Sequence, residues 1–267
     1  MSFSEKTAVL LVHGSADSPA AWQAVRALLE RQFVVHAPAL PHLPADAPAG
    51  VQAFQIDMPW LSSHMAHAGA RILVAHSYGA LLAMHWALAN PGHIDALILA
   101  EPICWGLIRD TGAKSTLAEL DMCVEQLESD DPEPALRWLV DYWNGKGFWQ
   151  GLPDRIRHGI SASAARTCSE VRSGNLDRTS PGDLQRLPAV TRLLCGTATT
   201  AESQLVQQTF SAARPSVRLM WAEGAGHQFL RSHAALIAQV VAEAAAEAGL
   251  VPSESPLVTP SSCTRTA

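Results

Sequence analysis

Residues 74–80 read Val-Ala-His-Ser-Tyr-Gly-Ala, with a serine placed where the apolar run Ile72-Leu73-Val74 gives way to a helical pattern. A strand that turns abruptly into a helix strains the backbone of the residue at the apex. It also demands small residues two before and two after it, and Ala75 and Gly79 meet that demand around Ser77. The Ser77 hydroxyl would then project above the sheet. The free N–H groups and dipole of the following helix would stabilise negative charge developing there. The bland alternative is a serine that merely caps a helix. A serine hydroxyl is a weak nucleophile until a base removes its proton. Of the 11 histidines, His227 is set apart by its Gly-rich turn, Gly224-Ala225-Gly226-His227, and by Phe229 beyond it. A carboxylate ends another apolar run: Glu101 follows Ala96–Ala100 and is locked by Pro102. A buried charge in that position needs a partner, and a histidine ring N–H over the sheet edge would supply one.

These residues need a scaffold, and its elements are legible in the spacing. Continuous apolar runs at Ala8–His13, Phe33–Ala37, Ile72–His76, Ala96–Ala100, Thr191–Cys195 and Val217–Trp221 predict strands of a parallel sheet covered on both faces. Helical patterns lie between them at Ala20–Arg31, Val51–Ala68 (with Pro59 as a kink), Tyr78–Asn90, Ala201–Ala213 and His233–Ala248. Such alternation predicts an α/β fold with right-handed crossovers. The rhythm stops between residues 104 and 187. There the helical segments Leu117–Glu128, Pro134–Trp143 and Ile156–Cys168 are separated by breakers, and the stretch reads as an inserted helical lid. The expected organisation is a core of residues 1–103 and 188–250, the lid at 104–187, and a Ser/Thr/Pro-rich disordered tail at 251–267.

Taken together, three features resemble the α/β-hydrolase family: Leu10-Leu11-Val12-His13-Gly14-Ser15 after an early strand, Ser77 in its elbow, and Gly224-Ala225-Gly226-His227 near the end. The resemblance runs from about Lys6 to Ala248. It implies a mostly parallel sheet with helices on both faces and an inserted helical lid. It also implies that Ser77 is the nucleophile and His227 its base, with the oxyanion held by the backbone N–H groups of Tyr78 and Ser15. His13 resembles the family's structural histidine, which braces the loop. His76 is expected to face back into the fold. The acid departs from the family's usual pattern. Its usual position falls near Thr199, and the chain there reads Thr197-Ala198-Thr199-Thr200-Ala201-Glu202. Some members resemble the arrangement in which the acid follows the earlier strand, which favours Glu101. Glu202, in the first turn of the next helix, is the alternative.

Four of the eight tryptophans, Trp105, Trp138, Trp143 and Trp149, fall in the lid and are expected to wall an apolar substrate pocket. The expected activity is hydrolysis of an ester or related acyl bond of a small or medium apolar substrate through an acyl-enzyme on Ser77. The same residues also suit a carbon–carbon bond hydrolase, a thioesterase or a cofactor-free perhydrolase. A catalytically silent ligand- or partner-binding member of the fold is the alternative from another class. No cofactor is implied and no metal: His64 and His67 share a helix without a third ligand. A net charge of −6 without a basic block argues against nucleic acid or a membrane surface as partner. No apolar stretch is long enough to span a bilayer. The five scattered cysteines and the polar N-terminus lead to an expectation of a cytoplasmic protein with reduced thiols.

Overall fold

A computed structural model describes residues 6–43, 52–110, 114–127, 129 and 131–250. The expected tail at 251–267 lies outside the described residues. Six parallel strands form one sheet in the order β2-β1-β3-β4-β5-β6. They are β1 (Ala8–Val12), β2 (Val34–His36), β3 (Ile72–His76), β4 (Ala96–Ala100), β5 (Val190–Gly196) and β6 (Arg218–Ala222). Every residue of β3, β4 and β5 is buried, because helices cover both faces of the sheet centre. Alternation divides the strands between two apolar layers. Leu10, Val12, Leu73, Leu97, Leu99 and Leu193 face one layer, while Val9, Leu11, Ile72, Val74, Ile98 and Leu194 face the other.

The second layer is closed by α1 (Gln23–Leu29) and α10 (Ala234–Glu247), through Val25, Leu29, Ile237 and Val241. The first is closed by α2 (Ala53–Ala68), α3 (Tyr78–Ala89) and α9 (Ala201–Ala213), through Leu61, Leu81, Val206 and Phe210. Pro59 lies inside α2, as the sequence places it. Between β4 and β5 the chain inserts α4 (Lys114–Leu127), α5 (Glu133–Asn144), α6 (Phe148–Gly151), α7 (Asp154–Ala162) and α8 (Ala164–Leu176). The sequence reads Ile156–Cys168 as one helix, but the chain breaks it at Ser163. The Ser163 N–H and hydroxyl both donate to the Ile160 carbonyl, tightening the last turn of α7. The break lets the two helices take different environments: α7 buries no residue, whereas α8 buries nine.

The first crossover leads from β1 outward to β2, and the next returns to β3 on the other side of β1. Ligands in open α/β sheets bind where the strand order reverses in this way, at the carboxyl ends of the strands. The loops after β1, β3, β4, β5 and β6 converge there.

Candidate active site

Ser77 immediately follows β3. Its N–H stays in the sheet ladder, donating to the Ala100 carbonyl at 2.9 Å, but its φ is +54°. With ψ at −121° the conformation lies in a sparsely populated region that costs a non-glycine residue about 1–3 kcal/mol. It lifts the side chain out of the sheet as α3 begins. The elbow is tight because a Cβ on Gly79 would lie 2.3 Å from the His13 carbonyl oxygen, and one on Gly14 would lie 2.8 Å from Ser77 Cβ. Only glycine permits these approaches.

Glu101 repeats the device one strand over. Its N–H donates to the Leu194 carbonyl at 3.0 Å, its φ is +44°, and its side chain leaves the ladder level with Ser77. Between the two lies the ring of His227, supplied by the loop after β6. Ser77 Oγ is 3.0 Å from His227 Nε2, and Glu101 Oε2 is 2.5 Å from His227 Nδ1. All three residues are buried, Glu101 to 1% exposure. Burial alone would push the Glu101 carboxyl's pKa up. The hydrogen bond and charge of His227, the Gly196 N–H at 2.8 Å and the Thr199 hydroxyl at 2.8 Å outweigh it and hold the pKa below the ordinary value. Glu101 is therefore an acceptor, so His227 carries its proton on Nδ1 and leaves Nε2 free to accept from Ser77.

Glu202 does not enter this cluster, and its Oε2 accepts from the Tyr142 hydroxyl at 3.0 Å. Thr199, at the position where the family usually carries its acid, instead donates to Glu101. His13 accepts from the Leu40 N–H through Nε2 and donates through Nδ1 to the Gly14 carbonyl, which braces the loop carrying Ser15. His76 is fully buried and donates to the backbone carbonyl of His227 at 3.0 Å, propping it from behind. Burial, with the neighbouring His227 ring adding to it, pushes the His76 pKa down to about 3. Tyr78, as the first residue of α3, has an N–H with no intrahelical partner.

A cavity of about 340 Å³ is lined by Ser15, Ala16 and Thr167 and by Leu136, Leu139 and Trp143, while Ser77 and His227 are not among its lining residues. Of the four tryptophans expected to wall a pocket, Trp143 lines this cavity and stacks on the His227 ring, with centroids 5.3 Å apart and planes at 16°. Trp138 stacks on Tyr142 beside a second, more open depression. Trp149 is buried in the core, and Trp105 packs where a Cβ on Gly174 would touch its ring at 2.8 Å. These two residues fill space and do not line the cavity. His64 donates to the Trp60 carbonyl and its ring packs on Trp60.

Residues 9–240 match the model of the alpha/beta hydrolase family. The chain belongs to that family. Among solved structures, this α/β hydrolase is similar to a hydrolase from Pseudomonas aeruginosa PA01, with 18% identity, 91% of both chains covered and a TM-score of 0.73. It is also similar to MenH from Staphylococcus aureus, with 15% identity, 93% of this chain and 97% of the other covered, and a TM-score of 0.71. The enol-lactonase from Burkholderia xenovorans LB400 is a third, with 13% identity, 92% and 94% covered, and a TM-score of 0.70. An uncharacterised protein of Mycobacterium tuberculosis is 35% identical over 124 residues, or 45% of the α/β hydrolase described here. The chain spans about a third of the length of that curated relative, since the match covers 36% of it. Among the described residues, no helix of this α/β hydrolase is long and apolar enough to cross a membrane.

Proposed function

We propose that the protein is a serine hydrolase that cleaves an ester or related acyl bond of a small or medium apolar substrate. One observation carries this reading: a single imidazole lies within hydrogen-bond reach of a strained serine on one side and a buried carboxylate on the other. In the proposed cycle, His227 Nε2 takes the Ser77 proton as Oγ attacks the substrate carbonyl. The imidazolium that forms is held by Glu101 through Nδ1–H. The N–H groups of Tyr78 and Ser15 receive the oxyanion, where the positive end of α3 adds to their effect. His227 then gives its proton to the leaving group, takes one from an incoming water, and the acyl-enzyme is hydrolysed.

The acyl group is assigned to the cavity beside Ser15, whose far wall consists of Leu136, Leu139, Val140, Leu152 and Ile160. Its volume is at the lower end of the roughly 300–1,000 Å³ usual for small-molecule sites. The inserted helices act as a lid in this reading, since α5 supplies Trp143 over His227 and α7 and α8 supply the cavity's Ile160 and Thr167. The four cysteines among the described residues, Cys104, Cys123, Cys168 and Cys195, are all buried, which suits a reducing compartment.

Exposure to a fluorophosphonate probe followed by intact-mass measurement tests the proposal. One adduct is expected on the wild-type protein and none on Ser77→Ala. A folded wild-type protein that stays unmodified would refute the hydrolase reading and favour a ligand-binding role for the same cavity.

A further inference from the structure

A second set of buried charges lies beneath the elbow, joining α2, α3 and α8. Asp57 on α2 is fully buried, and its Oδ2 accepts from the Tyr78 hydroxyl at 2.6 Å and from Arg166. Arg166, on α8, also donates through Nε to Glu170 Oε1 at 2.6 Å, and its guanidinium lies 5.8 Å from the centre of the Tyr78 ring. Glu170 Oε2 and Ser15 Oγ are both buried without a hydrogen-bond partner among the described residues. The Ser15 hydroxyl is nevertheless among the groups that draw the Glu170 pKa down against burial. The His13 ring, on the same loop as Ser15, also feels Arg166 and Asp57. Two carboxylates therefore share one arginine in a buried site, and Asp57 also holds the Tyr78 hydroxyl. Buried ion clusters of this kind are weak sources of stability, because desolvation offsets the attraction.

Resting on the hydrolase reading above, we propose that Asp57, Arg166 and Glu170 are positioning residues for the oxyanion hole. They fix Tyr78, one of the two residues whose backbone N–H groups receive the oxyanion, and they tie it to the inserted helix α8. Tyr78 is held through its hydroxyl by Asp57 and through its ring face by Arg166. Arg166 adjoins Thr167, which lines the cavity. A substrate seated there therefore presses on the same turn of helix that sets the Tyr78 backbone. Positioning of this kind lowers the barrier to reaction without adding ground-state affinity, so its loss should fall on kcat and not on KM.

The cleanest test is Tyr78→Phe, which removes one oxygen and keeps the backbone N–H, the ring and the helix. On a short-chain aryl ester, kcat is expected to fall roughly ten- to a hundredfold with KM unchanged, less than the loss of a whole oxyanion donor. Glu170→Gln is expected to give a smaller fall of the same kind. A second readout does not depend on turnover: backbone amide NMR should show the Tyr78 signal displaced in both variants while those of β4 and β5 stay in place. Unchanged kcat together with unmoved amides would overturn the proposal, as would a loss confined to KM. Displaced amides in a protein that the fluorophosphonate fails to label would uphold the positioning role and sink the hydrolase reading instead.

Discussion

Ser77, Glu101 and His227 each depend on a backbone decision made before any side chain acts. Ser77 and Glu101 keep their N–H groups in the sheet and turn only their φ, so two adjacent strands end in side chains that rise side by side. The elbow at Ser77 was legible because its requirements are local: a strand, two small neighbours and a helix. The same turn at Glu101 was not, since Ala100-Glu101-Pro102 carries no small-residue frame, and the carboxylate was favoured through its need for a partner and its resemblance to members whose acid follows the earlier strand. Thr199 was equally opaque as a hydrogen-bond donor, because its contact with Glu101 spans 98 positions. Replacing Glu101 with Gln should leave the fold intact and lower kcat by about 10³–10⁴, since the imidazole loses both its tautomer and its counter-charge. Glu202→Gln, tested in the same assay, should change kcat little, because Glu202 meets Tyr142 and not His227. Thr199→Val removes one donor from the Glu101 carboxylate. About 1.5–3 kcal/mol rides on a hydrogen bond to a charged group. The acid limb of the kcat/KM profile should therefore move to higher pH.

Among the elements, the sheet and its covering helices were readable because apolar runs and helical periodicity decide them within a few residues. The inserted helices were readable as helices, but neither the division at Ser163 nor the fate of each tryptophan followed from periodicity. A tryptophan faces core or cavity according to partners far away in sequence, such as Gly174 against Trp105. Close packing at the elbow makes a stability contrast between two glycines. Gly79→Ala drives a Cβ to 2.3 Å from a backbone oxygen and should destabilise the protein severely. Gly69→Ala, at φ +56° in open space after α2, should cost only about 1–2 kcal/mol in denaturant unfolding. A third element-scale contact is the buried Arg192 of β5, which meets Glu247 at the end of α10. Glu247→Ala strands that cation in the sheet and should cost about 1.5–3 kcal/mol, reduced by the partial exposure of Glu247.

For the whole molecule, pH acts on buried groups that the active-site residues do not exhaust. His76 has its pKa pushed down to about 3 from 6.5, so between these values the unfolded chain binds a proton that the folded chain refuses. Its contribution to stability is therefore lost as pH falls from about 6.5 toward 3. Glu170 has the opposite sign. Burial, resisted by Arg166 and Ser15 and aided by Asp57, raises its pKa to about 7 from 4.5, so the folded chain keeps a proton that the unfolded chain releases. Stability from this group is lost as pH rises from about 4.5 to 7. Melting temperature measured across that range should decline less toward neutrality in Glu170→Gln than in the wild-type protein. The ion pair beside Glu170, Asp57 with Arg166, spans 109 positions and joins two helices, and no spacing rule reaches that far. The indole of Trp143, lying flat on the His227 ring, has a use beyond covering it. A protonated imidazole quenches the emission of an indole it touches, whereas a neutral one does so far less. The fluorescence difference between wild-type protein and Trp143→Phe, followed against pH, would thus act as a built-in optical gauge of the charge on His227, readable before any substrate is known.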